Sequence, residues 1–315
     1  MGSLHTAFRP AAPLGAVAAL AVLPLVLAWI DQPFYIVLAT RILVFALIAS
    51  SLNLLIGYGG MVSFGHAAFL GTGAYAVAAL MRAGVESAWI AWPIAMLAGG
   101  LIAVAIGAVS LRTRGVYFIM ITLAFAQMVY FVVLSLKTLG GDDGLVLARR
   151  SAIGLGLDLR SDLTFYYVVL AVLLIALGGL FRLINAAMGR ALQGIRDNAT
   201  RMEAIGVPTY RVQLLAFTLA GAAAALGGAL NANLNGLVSP SLFHWTQSGA
   251  LMVMVILGGA GHFLGGVAGA AVLLIVEEIF AEYTIHWQLG VGAILLLVVL
   301  FAPDGVIGIA RRLAR

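Results

Sequence analysis

The chain has no cysteine, a single lysine and few charges of either sign. Of its 315 residues, 9% are charged and 63% hydrophobic, with a mean hydropathy of +1.11. Lack of cysteine excludes a disulfide framework and thiolate metal sites. The one lysine, Lys137, follows Leu136, whereas a phosphate-binding GxxxxGK[ST] loop needs glycine before its lysine. ATP hydrolysis linked to this chain would therefore belong to another. A soluble globular domain carries about 25% charged residues. So little charge over such a length indicates a polytopic membrane protein, and no polar block is long enough for a separate soluble domain. A net charge of +5 does not point to nucleic acid, because the basic residues are scattered beside apolar runs. In that position they set membrane orientation.

What is present is a series of apolar runs. A spanning helix needs about 20 mostly apolar residues. Ten candidates occur, over 12–30, 34–56, 61–81, 88–111, 116–136, 164–184, 212–234, 246–261, 264–283 and 287–302. The first is long for the apolar core of a cleavable signal and reads as a retained span. Arg112 and Arg114, the 182–211 segment and the tail with Arg311, Arg312 and Arg315 all fall on one side if ten spans leave both termini in the cytoplasm. The opposite side receives Asp31, Arg82 with Glu86, and the 137–163 loop. There Lys137, Arg149, Arg150 and Arg160 balance Asp142, Asp143, Asp158 and Asp162. The chain reads as one transmembrane domain, 1–315, whose five-span halves would be related by inversion.

Glycine is abundant where a membrane helix tolerates it least. GYGGMVSFGHAAFLGTG, Gly57 to Gly73, holds six glycines in seventeen residues, with Ser63 and His66 among them. Glycine costs a helix about 1 kcal/mol relative to alanine. Loose backbone is tolerated in a membrane only where protein or a cavity surrounds it. The stretch therefore predicts a close-packed or broken hairpin surrounded by protein or lining a cavity. If helical throughout, it places Ser63 and His66 on one face. GGAGHFLGGVAGA, Gly258 to Ala270, repeats the glycine pair and the nearby histidine.

The most polar inner segment is GRALQGIRDNATRMEAIGVPTYR, Gly189 to Arg211. It predicts a short interfacial helix capped by Asp197 or Asn198. Thr200 with Glu203 fits a capping box. Gly206 suits a left-handed end and Pro208 stops the helix. Its basic face would suit anionic headgroups or a docking partner. Glu277 and Glu278 fall about two-thirds across the ninth span, where ionisable groups are functional candidates by default. Arg41 in the second span can snorkel outward.

Several of these stretches resemble the branched-chain amino-acid ABC transporter permease family, in its LivM-like subunit. LNLLIGYGGMVSFGHAAFLGTGAYA (Leu52 to Ala76) comes first, then TRGVYFIMITLAFAQ (Thr113 to Gln127) and LGGDDGL (Leu139 to Leu145). GRALQGIRDNATRMEAIGV, MVMVILGGAGHFLGGVAGA and LFAPDGVIGI follow in order. The resemblance covers nearly all the chain after the first span. It implies an all-α bundle similar to type II importer permeases, in a bacterial inner membrane, forming half of a translocation path. The implied partners are a second, LivH-like permease subunit, two ATP-binding subunits that carry ATP-Mg, and a periplasmic binding protein. No cofactor is expected on this chain. MEAIG (Met202 to Gly206) is similar to the element that inserts into the ATPase.

The candidate residues follow. Asn53, Gly59, Gly60, Ser63, Gly65, His66 and Gln127 are assigned to the substrate path. Gly189, Arg190, Arg196, Arg201, Glu203, Ala204 and Gly206 are assigned to ATPase coupling. Asp142 and Asp143 are assigned to the binding protein. Two other classes stay open: an ion-coupled secondary transporter using Glu277 and Glu278, and an intramembrane hydrolase using Ser63 and His66. Relatives in this family also carry other amino acids, urea or short amides.

Overall fold

The computed structural model describes residues 20–26, 33–154, 158–283, 286–301 and 305–308. Asp31, the basic tail and most of the first apolar run lie outside them; residues 20–26 are helical (α1). Lipid offers backbone groups no partner, so apolar runs must close their hydrogen bonds internally. They do so as α2 (Pro33–Asn53), α3 (His66–Arg82), α4 (Ala88–Ser110), α5 (Val116–Ser135) and α6 (Asp162–Asn185). The polar α7 (Ala187–Ala204) follows, then α8 (Thr209–Asn235), α9 (Trp245–Gly258), α10 (Gly265–Tyr283) and α11 (Trp287–Phe301).

Five helical stretches are long and apolar enough to cross a membrane: Phe34–Tyr58, Ala88–Ser110, Val116–Ser135, Asp162–Asn185 and Thr209–Asn235. The chain is thus a mostly helical, multi-pass membrane protein. α3, α9 and α11 have 17, 14 and 15 residues. At a rise of 1.5 Å per residue they measure about 21–26 Å, against a hydrocarbon core of about 30 Å. α10 has 19 residues, but Glu277, Glu278 and Glu282 crowd its last two turns. The expected third span, 61–81, is corrected: its helix starts only at His66.

α8 sits centrally, packed against α4, α3, α2 and α7. Small residues let these backbones touch. A Cβ on Gly73 would lie 1.9 Å from the Ala225 carbonyl oxygen, and one on Gly228 would lie 1.9 Å from that of Leu70. Larger residues are buried in the same core, including Phe69 and Phe217 near this seam and Phe165 and Tyr166 on α6. By contrast α5 shows Tyr117, Met120, Phe131 and Val132 outward, a surface suited to lipid. At one end of the bundle, β1 (Leu145–Val146) pairs antiparallel with β2 (Leu237–Val238). α7 lies at the opposite end.

Candidate functional site

The glycine stretch is broken. α2 widens into a π-helical turn, Leu54–Tyr58, and no helix resumes until His66. Gly60 turns the chain at φ +65°. The His66 ring nitrogen Nε2 lies 3.4 Å from Ser51 Oγ. α3 therefore begins level with Ser51, about two helical turns back along α2 from Tyr58. Within the break Gly59, Met61, Ser63 and Gly65 are buried, Val62 and Phe64 half-buried and Gly60 exposed.

Freed backbone groups there find side chains from distant elements. Phe64 N donates to Thr122 Oγ1 of α5 at 3.2 Å. Ser248 Oγ of α9 donates to the Phe64 carbonyl at 2.6 Å and accepts from Ala67 N at 2.9 Å. Ser63 Oγ accepts from Gly65 N at 3.0 Å. Ser51, Ser63, His66, Thr122 and Ser248 are all fully buried. This arrangement lets non-helical chain persist at membrane depth.

The one-face reading of Ser63 and His66 is corrected by this break, because Ser63 precedes the helix that His66 begins. The pair makes no hydrogen bond among the described residues. Ser51, which His66 does meet, donates its hydroxyl proton to the Ile48 carbonyl at 2.7 Å, and His66 Nδ1 has no partner. A hydrolase would need a base poised on a free hydroxyl and a third group orienting that base. Neither is present in this arrangement. Arg41 meets Glu277 at 3.3 Å, with 38% of its side chain exposed.

Of the other path candidates, Asn53 clasps the loop between α9 and α10. Its Oδ1 accepts from Gly261 N at 3.0 Å and its Nδ2 donates to the His262 carbonyl at 2.8 Å. The two glycine motifs thus meet directly, and a Cβ on Gly57 would lie 2.3 Å from Gly261 N. Gly59 and Gly60 line a cavity of about 230 Å³ with Arg114, Phe118, Ile195 and Arg196. Gln127 stands apart on α5 with its amide nitrogen buried and unpaired.

The coupling candidates share α7 and its exit. The helix starts at Ala187, ten residues before the expected cap, and kinks at Asn198 (φ −160°, ψ 98°). Asn198 Oδ1 accepts from Arg201 N at 2.9 Å, so it caps the second piece. The Thr200–Glu203 box is corrected: Glu203 instead accepts from Thr209 Oγ1 at 2.9 Å and pairs with Arg114 at 3.2 Å. Beyond it, Gly206 N donates to the Glu203 carbonyl and Val207 N to that of Met202, with Gly206 at φ +85°. That is a Schellman end. Gly189 is buried, whereas Arg190, Arg196, Arg201, Glu203, Ala204 and Gly206 are exposed.

Ile205 was missed by sequence reasoning. It is 69% exposed inside MEAIG, among polar neighbours, and its apolar character within that motif was the available signal. Arg150 was also missed. It binds Asp162 Oδ1 at 2.6 Å, the Asn233 carbonyl at 3.1 Å and the Leu159 carbonyl at 3.0 Å, and lies over the Phe165 ring. Asp142 and Asp143 are exposed on a turn whose glycines 140, 141 and 144 have positive φ.

Long apolar helices, a buried break and one capped polar helix with an exposed end define a multi-pass membrane protein. The profile of a family described as "Branched-chain amino acid transport system / permease component" matches residues 14–300, and the chain belongs to that family. It is 26% identical over 319 residues to the high-affinity branched-chain amino acid transport system permease protein LivM of Escherichia coli (strain K12), covering 92% of this chain and 74% of that one. It is 26% identical over 281 residues to LivH of Salmonella typhimurium (84% and 91%). The xylose transport system permease protein XylH of Escherichia coli (strain K12) is 31% identical over 139 residues (42% and 35%). No solved structure matches.

Proposed function

We propose that the chain is the LivM-like permease subunit of an ATP-driven importer for branched-chain or related amino acids. The observation that carries this reading is the end of α7. A Schellman-capped helix presents Ile205 and Glu203 outward on a chain whose family is that of transport permeases. An apolar side chain held out by a rigid cap fits a partner's cleft.

In this reading the chain has ten spans as one domain, with both termini in the cytoplasm of a bacterial inner membrane. α7 and the rest of the 189–211 segment face the ATPases, and the 137–163 loop faces the binding protein through Asp142 and Asp143. The 59–65 break, with Asn53, Ser63, Gly65, His66 and Gln127 around it, lies beside the path shared with a LivH-like subunit. ATP-Mg binds the partner ATPases and no cofactor binds here. Among the described residues no contact favours the ion-coupled alternative: Glu277 pairs with Arg41.

Reconstitution in proteoliposomes tests this. The chain with a second permease, two ATPases and a binding protein should accumulate labelled leucine only with ATP inside the compartment facing α7. Uptake by the chain alone, driven by a proton or sodium gradient, would overturn the reading.

A further inference from the structure

Arg196, assigned to ATPase coupling, is exposed as a residue, yet its guanidinium reaches back to the end of α2. Its guanidinium Nη1 donates to the Gly57 carbonyl oxygen in the π turn that ends α2. Its aliphatic stem lies against Gly60, where a Cβ would come within 2.9 Å of Arg196 Cγ. A Cβ on Gly261 would lie 3.6 Å from Nη1. Three glycines from two separate motifs therefore form the seat for one side chain. Just beneath, the buried Leu192 and Ile195 set this face of α7 inward, and a Cβ on Gly59 would meet Leu192 Cδ1 at 3.4 Å.

The acceptor is well chosen for a cation. The last carbonyls of a helix lack intrahelical donors and carry the negative end of its dipole. Arg196 makes no carboxylate pair among the described residues. Its anchor is thus a backbone group at the point where α2 gives way to non-helical chain. That point is itself clasped to the 259–264 loop by Asn53. A continuous line runs from α7 through Arg196 to Gly57, then by Asn53 to Gly261 and the start of α10.

We propose that Arg196 is the positioning residue that converts displacement of α7 into displacement of the break at 57–65 and of the 259–264 loop. It touches neither nucleotide nor substrate and acts through the Gly57 carbonyl. When α7 is drawn by its ATPase, the guanidinium carries the π turn with it. The glycines at 57, 60 and 261 allow that turn to move against the loop without side-chain interference. The inference rests on the importer reading above and adds the route of transmission within this subunit.

The absence of native cysteine on this chain makes the test direct. Spin labels at Ala260→Cys on the 259–264 loop and Val109→Cys on α4 report loop position in the full complex, with and without ATP. With Arg196 in place, ATP should shift the distance. In Arg196→Gln the shift should vanish, and substrate moved per ATP hydrolysed should fall about tenfold, within the range of allosteric couplings. Arg196→Lys keeps a cationic donor and should recover much of both readouts, which a purely space-filling role would not require. Gly60→Ala keeps the arginine but obstructs its seat, and should resemble Arg196→Gln. If Arg196→Gln does not assemble, Gly60→Ala decides, with Arg196→Lys as the variant expected to keep both readouts. Unchanged shift and transport ratio in Arg196→Gln, or in Gly60→Ala where Arg196→Gln does not assemble, would overturn the proposal. Failure of the importer reading is distinguishable, because the unmodified chain would then show no ATP-linked shift.

Discussion

The two ends of the bundle are built differently although both centre on an arginine. At the loop end, Arg150 is only 18% exposed in its side chain and is held by Asp162, two loop carbonyls and the last turn of α8. Ser151 N donates to Asn233 Oδ1 at 2.6 Å, Arg149 meets Glu86 at 3.3 Å, and β1 pairs with β2. At the α7 end, Arg196 holds one backbone carbonyl, with glycine on its flanks. Glu203 is 49% exposed and its partner Arg114 71%. Many converging acceptors fix a loop to its helix. A single polar link across glycines joins two parts and leaves them free to move together. On the proposed coupling route, the loop end is the static platform and the α7 end the moving one.

Four substitutions probe that difference, from large effect to small. Arg150→Ala leaves Asp162 and several carbonyls partly buried and unpaired. It should cost about 3 kcal/mol, read as a lower detergent melting temperature. A melting temperature equal to that of the unmodified chain would remove the platform assignment. Ile205→Asp should leave melting unchanged but weaken ATPase capture by about 2 kcal/mol, roughly thirtyfold. Equal co-purification would show that MEAIG is not the docking surface. Gly206→Ala places a Cβ at a positive φ and should destabilise the α7 end by about 1 kcal/mol. Faster amide exchange confined to 199–207 is the expected sign, and an unchanged exchange pattern would contradict it. Glu203→Gln breaks an ion pair between two exposed groups, and the stability change should stay below about 0.5 kcal/mol. A larger loss in a thermal melt would mean the pair is less solvated than its exposure indicates.

Local signals were legible in the sequence. Gly206 and Pro208 mark the end of α7 because a left-handed glycine and a helix-stopping proline act within one turn. The placement of the polar segment, the membrane class and the family could all be read, since hydropathy and motif order are properties of the chain itself. What escaped depends on residues far apart. The third helix starts at His66 rather than near residue 61 because Thr122 and Ser248, 58 and 184 positions from Phe64, satisfy the unwound chain. Asn53 was assigned to the path from its motif, and the sequence did not show that its amide is engaged by a loop more than 200 positions away. Arg150 looked like one of four basic residues in a loop of zero net charge. Its role follows from where α8 ends and α6 begins. Composition showed that glycines cluster, but only the packing shows that Gly57 and Gly261 face each other around Arg196.

The most direct test places one label pair at each end of the same assembled transporter. Ala260→Cys with Val109→Cys reports the α7 end, and Asp142→Cys with Ser241→Cys reports the loop end. The account predicts an ATP-linked distance change in the first pair and none in the second. Equal changes at both ends, or movement confined to the loop end, would contradict it.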